Sequence, residues 1–157
     1  MKLILIIILI VVVMLIAYAT TEQYKDKFDF YNNLKTFLEE FKINLSFRQD
    51  KIIEFLNKVN ARKQFKLFID SYKEYLQNNK LDLSRITILE SEEMSELEDI
   101  ILNIGKYDVK NELGQLESFI SHIEIKVNQS LDKKNKLCPM ILKLSFLFAV
   151  GIAILLI

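Results

Sequence analysis

The chain is apolar at both ends and charged in between. The first apolar run, from Leu3 to Ala19, has no charged residue. As an α-helix its 17 residues would extend roughly 26 Å, close to a hydrocarbon core of about 30 Å. The second run, Leu144 to Ile157, is shorter. The longer stretch from Leu137 to Ile157 can cross the membrane if the ammonium group of Lys143 reaches back toward water. The sequence therefore predicts a membrane helix at each end.

The first run has a second interpretation. Met1 and Lys2, the apolar core and Ala17-Tyr18-Ala19 also match a secretory signal with an A-x-A cleavage site. However, the core reaches the upper end of the usual length of roughly 7 to 15 residues, and one lysine is a short basic region. An uncleaved anchor is favoured. With cleavage, the product would be an extracytoplasmic helical domain with a C-terminal membrane anchor.

Lysines near the apolar runs predict the orientation. They cluster on the central side of both runs, at Lys25, Lys27, Lys35, Lys126, Lys133, Lys134 and Lys136. Only Lys2 lies on the other side. Since basic residues stay on the side of synthesis, we expect a cytoplasmic centre and both termini outside.

The centre is expected to be a single helical domain. Apolar residues recur there at steps of three and four, which is typical of amphipathic helices. The predicted fold class is all-α: a transmembrane helix at residues 1–20, a cytoplasmic helical bundle at 21–136 and a transmembrane helix at 137–157. Aromatic residues that coincide with the helical stripes are expected in the core: Phe28, Phe37, Phe41, Phe47, Phe55, Phe65, Phe68 and Tyr72.

Local signals set the limits of the central helices. A break is expected at Asn44 to Arg48, and Ser91 is the expected N-cap of a fourth helix whose apolar face begins at Leu97. Gly105 suits the end of that helix. Pro139 is expected to bend or interrupt the fifth helix at the membrane surface.

The residues for common active sites are largely missing. One histidine and one cysteine are too few for the usual zinc or di-iron ligand sets. The three glycines stand singly, so no phosphate-binding loop is present. The centre has a net charge of −2 and does not demand nucleic acid. We therefore expect no metal, no cofactor, no nucleic-acid partner and no enzymatic activity.

Carboxylates are concentrated near the start of the fourth helix. At helical spacing most of them point away from the apolar face, which favours a solvated surface over paired catalytic carboxylates. As a docking surface for a basic partner, the candidate residues are Glu92, Glu93, Glu96 and Glu98.

Several segments resemble one family. Ile101-Leu102-Asn103-Ile104-Gly105-Lys106, followed by Gly114-Gln115-Leu116, is similar to the LLxFGxxLGxxDxxGQ segment of the stage III sporulation protein AB family. Lys143-Leu144-Ser145-Phe146 and the run from Gly151 to Ile157 are similar to the family's C-terminal membrane segment. The resemblance covers nearly the whole chain and makes Gly105, Gly114 and Gln115 its motif residues.

The resemblance implies a non-enzymatic part of the membrane complex that joins mother cell and forespore during sporulation. The helical domain would resemble the cytoplasmic domains of type II secretion and type IV pilus platform proteins. By that analogy the chain would lie in the mother-cell membrane around the forespore and dock a sporulation secretion-type ATPase. Other membrane components of the complex and membrane lipid are further expected partners, and a homo-oligomer is compatible with this role.

Overall fold

A computed structural model describes residues 2–48, 51–104 and 109–156. Within these ranges the chain is helical with short connections and contains no β-strand. The elements are α1 (Lys2–Ile43), a π-helical turn (Asn44–Arg48), α2 (Ile52–Lys58), α3 (Lys63–Asn78), α4 (Ser91–Asn103) and α5 (Val109–Leu156). The all-α prediction is confirmed.

The chain divides into two units. Met1–Phe28 and Gln129–Ile157 form the first, which we call the hairpin unit. Asp29–Asn128 form the second, which we call the bundle unit. Helices α1 and α5 each contribute residues to both units.

Helix α1 continues from the first apolar run into the amphipathic segment that follows it. It contains neither proline nor glycine, the residues that most often end a helix. Two hydroxyls at the transition bond back to the preceding turn: Thr20 Oγ1 donates to the Ile16 carbonyl at 2.9 Å, and Thr21 Oγ1 donates to the Tyr18 carbonyl at 2.8 Å. These side chains satisfy their own polar groups without breaking the helix.

The chain does not leave the helical path after Ile43. Asn44–Arg48 form a π-helical turn, in which Ser46 Oγ donates to the Lys42 carbonyl at 2.9 Å. The predicted break is confirmed as the end of α1 at Ile43, and the segment that follows it is a π-helical turn. Phe47, expected in the core, is 83% exposed on this turn. It follows the buried Phe41 by six residues, a spacing that turns a helical side chain away from the buried face.

Helix α5 passes through Pro139. Proline has no backbone N–H and cannot donate to the carbonyl four residues earlier, at Asn135. The helix nevertheless continues to Leu156. Pro139 therefore does not interrupt α5, and the bend that was the other expectation stays a prediction.

Aromatic side chains from three helices form the centre of the bundle unit. The ring centroid of Phe37 on α1 lies 5.6 Å from that of Phe55 on α2 and 6.0 Å from that of Phe68 on α3. Such tilted and edge-on pairs stabilise a core beyond their buried area. Other buried residues of this core are Phe30, Leu34, Leu38, Phe41, Leu56, Phe65, Ile69, Tyr72, Leu116 and Ile123.

Helix α4 packs its predicted apolar face into the same core. Leu97, Ile100 and Ile101 are buried, as the spacing indicates. The predicted N-cap is wrong by one residue: Glu90 has the extended backbone of a cap and Ser91 is the first helical residue. The Glu90 N–H donates to Glu93 Oε2 at 2.9 Å, so the glutamate three residues into the helix fixes its start.

Two ion pairs link α1 and α5 across the bundle unit. Lys35 Nζ lies 2.8 Å from Glu124 Oε1, and Lys42 Nζ lies 2.7 Å from Glu117 Oε1. From the first pair to the second, the position on α1 advances by seven residues, from Lys35 to Lys42, and the position on α5 goes back by seven, from Glu124 to Glu117. The two helices are therefore antiparallel in this unit.

Candidate functional site

The acidic residues of α4 divide into two groups. Glu93 and Glu96 are partly buried, whereas Glu92, Glu98 and Asp99 are exposed. With about 3.6 residues per turn, Glu92 and Asp99 lie almost above one another, and Glu98 lies toward the other edge of the same exposed face. The four predicted docking residues therefore do not form one surface.

Glu93 stabilises the bundle. Besides accepting the hydrogen bond from the Glu90 N–H, its carboxylate lies near the phenol of Tyr31. Burial, followed by the charge of Glu93, raises the pKa of Tyr31 well above its usual value. Glu93 thus contributes to the contact between α4 and α1.

Glu96 connects α4 to α5. Its Oε2 lies 2.7 Å from Lys126 Nζ and 3.4 Å from His122 Nε2. The hydrogen bond from Lys126 is the largest of the influences that lower the pKa of the Glu96 carboxyl. His122 is exposed, and its contact with Glu96 was not evident from the sequence.

The exposed carboxylates form a separate surface. We call Glu92, Glu98 and Asp99 the α4 acidic face. Within the described part of the chain, none of these three carboxylates takes part in an ion pair. They project from a helix whose opposite side is buried in the core, so the bundle fixes their spacing. This surface has the chemistry to bind a positively charged protein.

Two of the motif residues predicted by resemblance, Gly114 and Gln115, lie near the start of α5. Gly105 lies outside the described residues. Gly114 is exposed within α5, and a Cβ atom there would meet nothing within 4 Å. Gln115 lines an open recess of about 300 Å³ together with Asn103, Ser118 and Phe119. Gln115 Oε1 is buried and has no hydrogen-bond partner among the described residues.

One buried carboxylate was not predicted. Glu112, in the first turn of α5, is 3% exposed. Burial of the Tyr72 phenol is the largest influence that raises the pKa of Tyr72 above its usual value, and the charge of Glu112 is the second. Acidic residues are seldom fully buried, and the helical spacing gave no sign that this one faces α3.

The hairpin unit pairs the apolar parts of α1 and α5. Small residues occupy buried positions, with Ala17 and Ala149 each 2% exposed and Thr21 1% exposed. Cys138 Sγ lies 3.6 Å from the Thr21 carbonyl, and Lys134 Nζ lies 4.2 Å from the centre of the Phe28 ring. Small side chains allow helices to approach closely, which is common between helices in membranes.

Many of the outward-facing residues of the hairpin unit are large and apolar. Ile4, Leu15, Leu147, Phe148 and Ile154 are each more than 60% exposed. Helices α1 and α5 are both long and apolar enough to cross a membrane. In water such a surface would favour aggregation, whereas lipid chains would cover it.

No metal centre is evident in residues 2–48, 51–104 and 109–156, where no three His, Cys, Asp or Glu side chains are grouped to hold an ion. The partly buried polar contacts of this region instead join helices to one another. One example is Glu96 on α4, whose carboxylate contacts Lys126 and His122 on α5.

Comparison with known protein families matches residues 2–157 to stage III sporulation protein AB. No curated protein and no solved structure matches the chain. The family is one of sporulation proteins and is not a known enzyme family. The match extends over both apolar helices and the whole bundle unit, and it confirms the resemblance carried by the Ile101–Lys106, Gly114–Leu116 and C-terminal segments. The chain therefore belongs to the stage III sporulation protein AB family.

Proposed function

We propose that this protein is a non-enzymatic, membrane-anchored platform in a secretion-like complex between mother cell and forespore. The observation that carries the proposal is a sporulation family match over residues 2–157 in a chain with two membrane-length apolar helices. The bundle unit between them would dock the partner ATPase, as platform proteins do in secretion machines.

Packing in the hairpin unit supports retention of the first apolar run as an anchor. Ile6 is 8% exposed and Ala17 is 2% exposed, so the run makes contacts that cleavage after Ala19 would remove. A secretory signal has no need for such packing, because it is removed from the mature chain. Two retained anchors place both termini on one side of the membrane and the bundle unit on the other.

The lysines support a cytoplasmic bundle unit in the mother-cell membrane around the forespore. Lys25, Lys27, Lys133, Lys134 and Lys136 all lie on the bundle side of the apolar segments. A cluster of this kind remains on the side of the membrane where the chain is made. A cytoplasmic ATPase could then reach the bundle unit directly.

The α4 acidic face is our proposed docking surface. It replaces the four-glutamate surface proposed from the sequence. Glu93 accepts a hydrogen bond from the Glu90 N–H and Glu96 pairs with Lys126, so both carboxylates already have partners within the bundle unit. The remaining carboxylates are exposed on a helix anchored by Leu97 and Ile101. A basic face on the ATPase would complement them, and such complementarity sets partner choice and association rate.

Charge reversal tests this surface. The variant Glu92→Lys/Glu98→Lys/Asp99→Lys, made in the full-length chain in sporulating cells, should reduce co-purified ATPase at least tenfold and lower the count of heat-resistant spores. Like charges brought together at an interface cost several kcal/mol. The variant should enter membranes at the wild-type level, since the changed side chains are exposed.

A matched control reverses three exposed glutamates elsewhere in the bundle unit: Glu40→Lys/Glu54→Lys/Glu74→Lys. These residues are exposed on α1, α2 and α3. The control should keep both ATPase binding and spore formation. Equal ATPase recovery from wild type and the α4 variant would contradict the docking role, and normal spores after deletion of the gene would contradict the sporulation role.

A further inference from the structure

One exposed face of α5 carries basic side chains into the apolar segment. Lys136, Met140, Lys143 and Leu147 recur at steps of four, three and four residues, so they lie within about 60° of one another around the helix. All four are exposed. We call this set, together with Lys133 one turn before Lys136, the α5 lysine face.

The lysines of this face differ from others in the hairpin unit. Lys25 Nζ is held 2.7 Å from Glu22 Oε1, and Lys134 Nζ lies over the Phe28 ring. By contrast, Lys133 and Lys143 have no ion-pair partner within the described ranges. Lys136 Nζ is 3.3 Å from Asp132 Oδ2, but the two side chains are 76% and 70% exposed. An ion pair this exposed is weak, so another anion can replace Asp132 as the partner of Lys136.

We propose that the α5 lysine face binds the phosphate headgroup of an anionic phospholipid. The proposal rests on the membrane anchoring proposed above. Lys136 and Lys143 are separated by about 10 Å along the helix axis. Because helical side chains lean toward the N-terminus of their helix, the stem of Lys143 leads out of the apolar segment and toward the level of Lys136. A phosphate near Met140 would lie between the two ammonium groups.

Along α5, basic residues come first and apolar residues follow. This order fits the charged headgroup and acyl chains of a lipid better than it fits an acidic protein segment. Two lysines surround the phosphate position, and exposed Leu144 and Leu147 follow in the direction of the membrane interior. A phospholipid presents a charged phosphate and then acyl chains in the same order. An acidic peptide could pair with the ammonium groups, but it would not cover the exposed Leu144 and Leu147, whereas acyl chains that continue from the phosphate would.

The test uses the full chain in lipid nanodiscs that contain equal amounts of phosphatidylglycerol and phosphatidylcholine. Native mass spectrometry measures which lipid remains bound to the released protein. We expect wild type to retain phosphatidylglycerol preferentially. Each of Lys136→Gln and Lys143→Gln should reduce the preference about fivefold, because a basic residue near an anionic surface contributes about 1 kcal/mol. The double variant should lose more.

Two control variants separate a site from general charge. Lys80→Gln/Lys110→Gln removes two exposed lysines of the bundle unit and should leave the preference unchanged. Lys136→Arg/Lys143→Arg keeps both charges and should also retain phosphatidylglycerol. Raising the salt concentration should weaken retention by wild type.

The outcomes distinguish the two proposals. A chain that enters nanodiscs but retains both lipids equally overturns the lipid site and leaves the anchoring intact. Unchanged preference in Lys136→Gln/Lys143→Gln also overturns the site. A chain that neither enters nanodiscs nor sediments with cell membranes overturns the anchoring and the lipid site together.

Discussion

At the scale of single residues, neighbouring carboxylates on α4 have different roles. Glu93 fixes the start of the helix, Glu96 joins it to α5, and Glu98 remains exposed. The three residues have the same side chain. What differs is the direction in which each projects from a helix that is buried on one side, and this direction decides whether a carboxylate stabilises the bundle or remains available to a partner.

The ion pair of Glu96 predicts a pH-dependent stability. Lys126 and His122 lower the pKa of Glu96 below its usual value of 4.5, so the carboxylate stabilises the folded chain above that value. This contribution is lost as the pH falls through the lowered pKa. We expect Glu96→Gln to destabilise the bundle by up to about 1 kcal/mol near neutral pH, since the pair is partly exposed.

Thermal unfolding of the full chain in detergent micelles, measured from pH 7 downward, checks this expectation. The difference in Tm between wild type and Glu96→Gln should narrow below pH 4.5 and then disappear on further acidification. Glu98→Gln is the control, and its Tm should follow that of wild type at every pH. A Glu96→Gln difference that is constant across the range would show that the ion pair is not responsible.

At the scale of helices, spacing predicted the buried faces better than the boundaries. The apolar face of α4 followed directly from Leu97, Ile100 and Ile101, because packing requires one continuous stripe. Its N-cap did not, because Glu90 and Ser91 both have side chains that can bond to backbone N–H groups. Phe47 was placed in the core as an aromatic residue on a helical stripe, but it follows Phe41 by six residues and projects away from the buried face.

The candidate site was predicted only in part, because local spacing does not show which helices come into contact. Sequence spacing indicated which carboxylates of α4 face away from its apolar stripe. It could not show that Glu96 meets Lys126, since this partner lies 30 residues further along the chain, on another helix. The burial of Glu112 likewise depends on how α5 packs against the rest of the bundle unit, which no local pattern contains.

The aromatic contact among α1, α2 and α3 predicts a large difference between two phenylalanines. Phe37 is 2% exposed and lies next to four other aromatic rings. Phe37→Ala should lower the free energy of unfolding by about 3–5 kcal/mol, through lost burial and the cavity that remains. Phe47→Ala, at a residue 83% exposed, should change it by less than about 0.5 kcal/mol.

Denaturant unfolding of the full chain in micelles, followed by tyrosine fluorescence of the bundle, measures both variants. The matched change from phenylalanine to alanine removes the same atoms in each case. A similar loss of stability in the two variants would contradict the separation of a buried aromatic core from an exposed π-helical turn.

At the scale of the whole molecule, the two units suit different surroundings. The hairpin unit has small residues on its inner faces and large apolar residues outside, whereas the bundle unit buries its apolar residues and exposes charge. We infer a membrane anchor and a water-exposed docking domain from this contrast. Docking of a cytoplasmic ATPase on the α4 acidic face depends on the orientation of the bundle unit.

Cysteine labelling in intact cells tests that orientation most directly. Cys138 is the only cysteine, so Cys138→Ser provides a background for one new cysteine at a time, either Ser95→Cys on the exposed surface of α4 or a cysteine added after Ile157. In vegetative cells that produce the full chain, a membrane-impermeant maleimide should label the terminal cysteine and should reach Ser95→Cys only after permeabilisation. Labelling of Ser95→Cys in intact cells, with the terminal cysteine protected, would contradict a cytoplasmic platform held by two membrane helices.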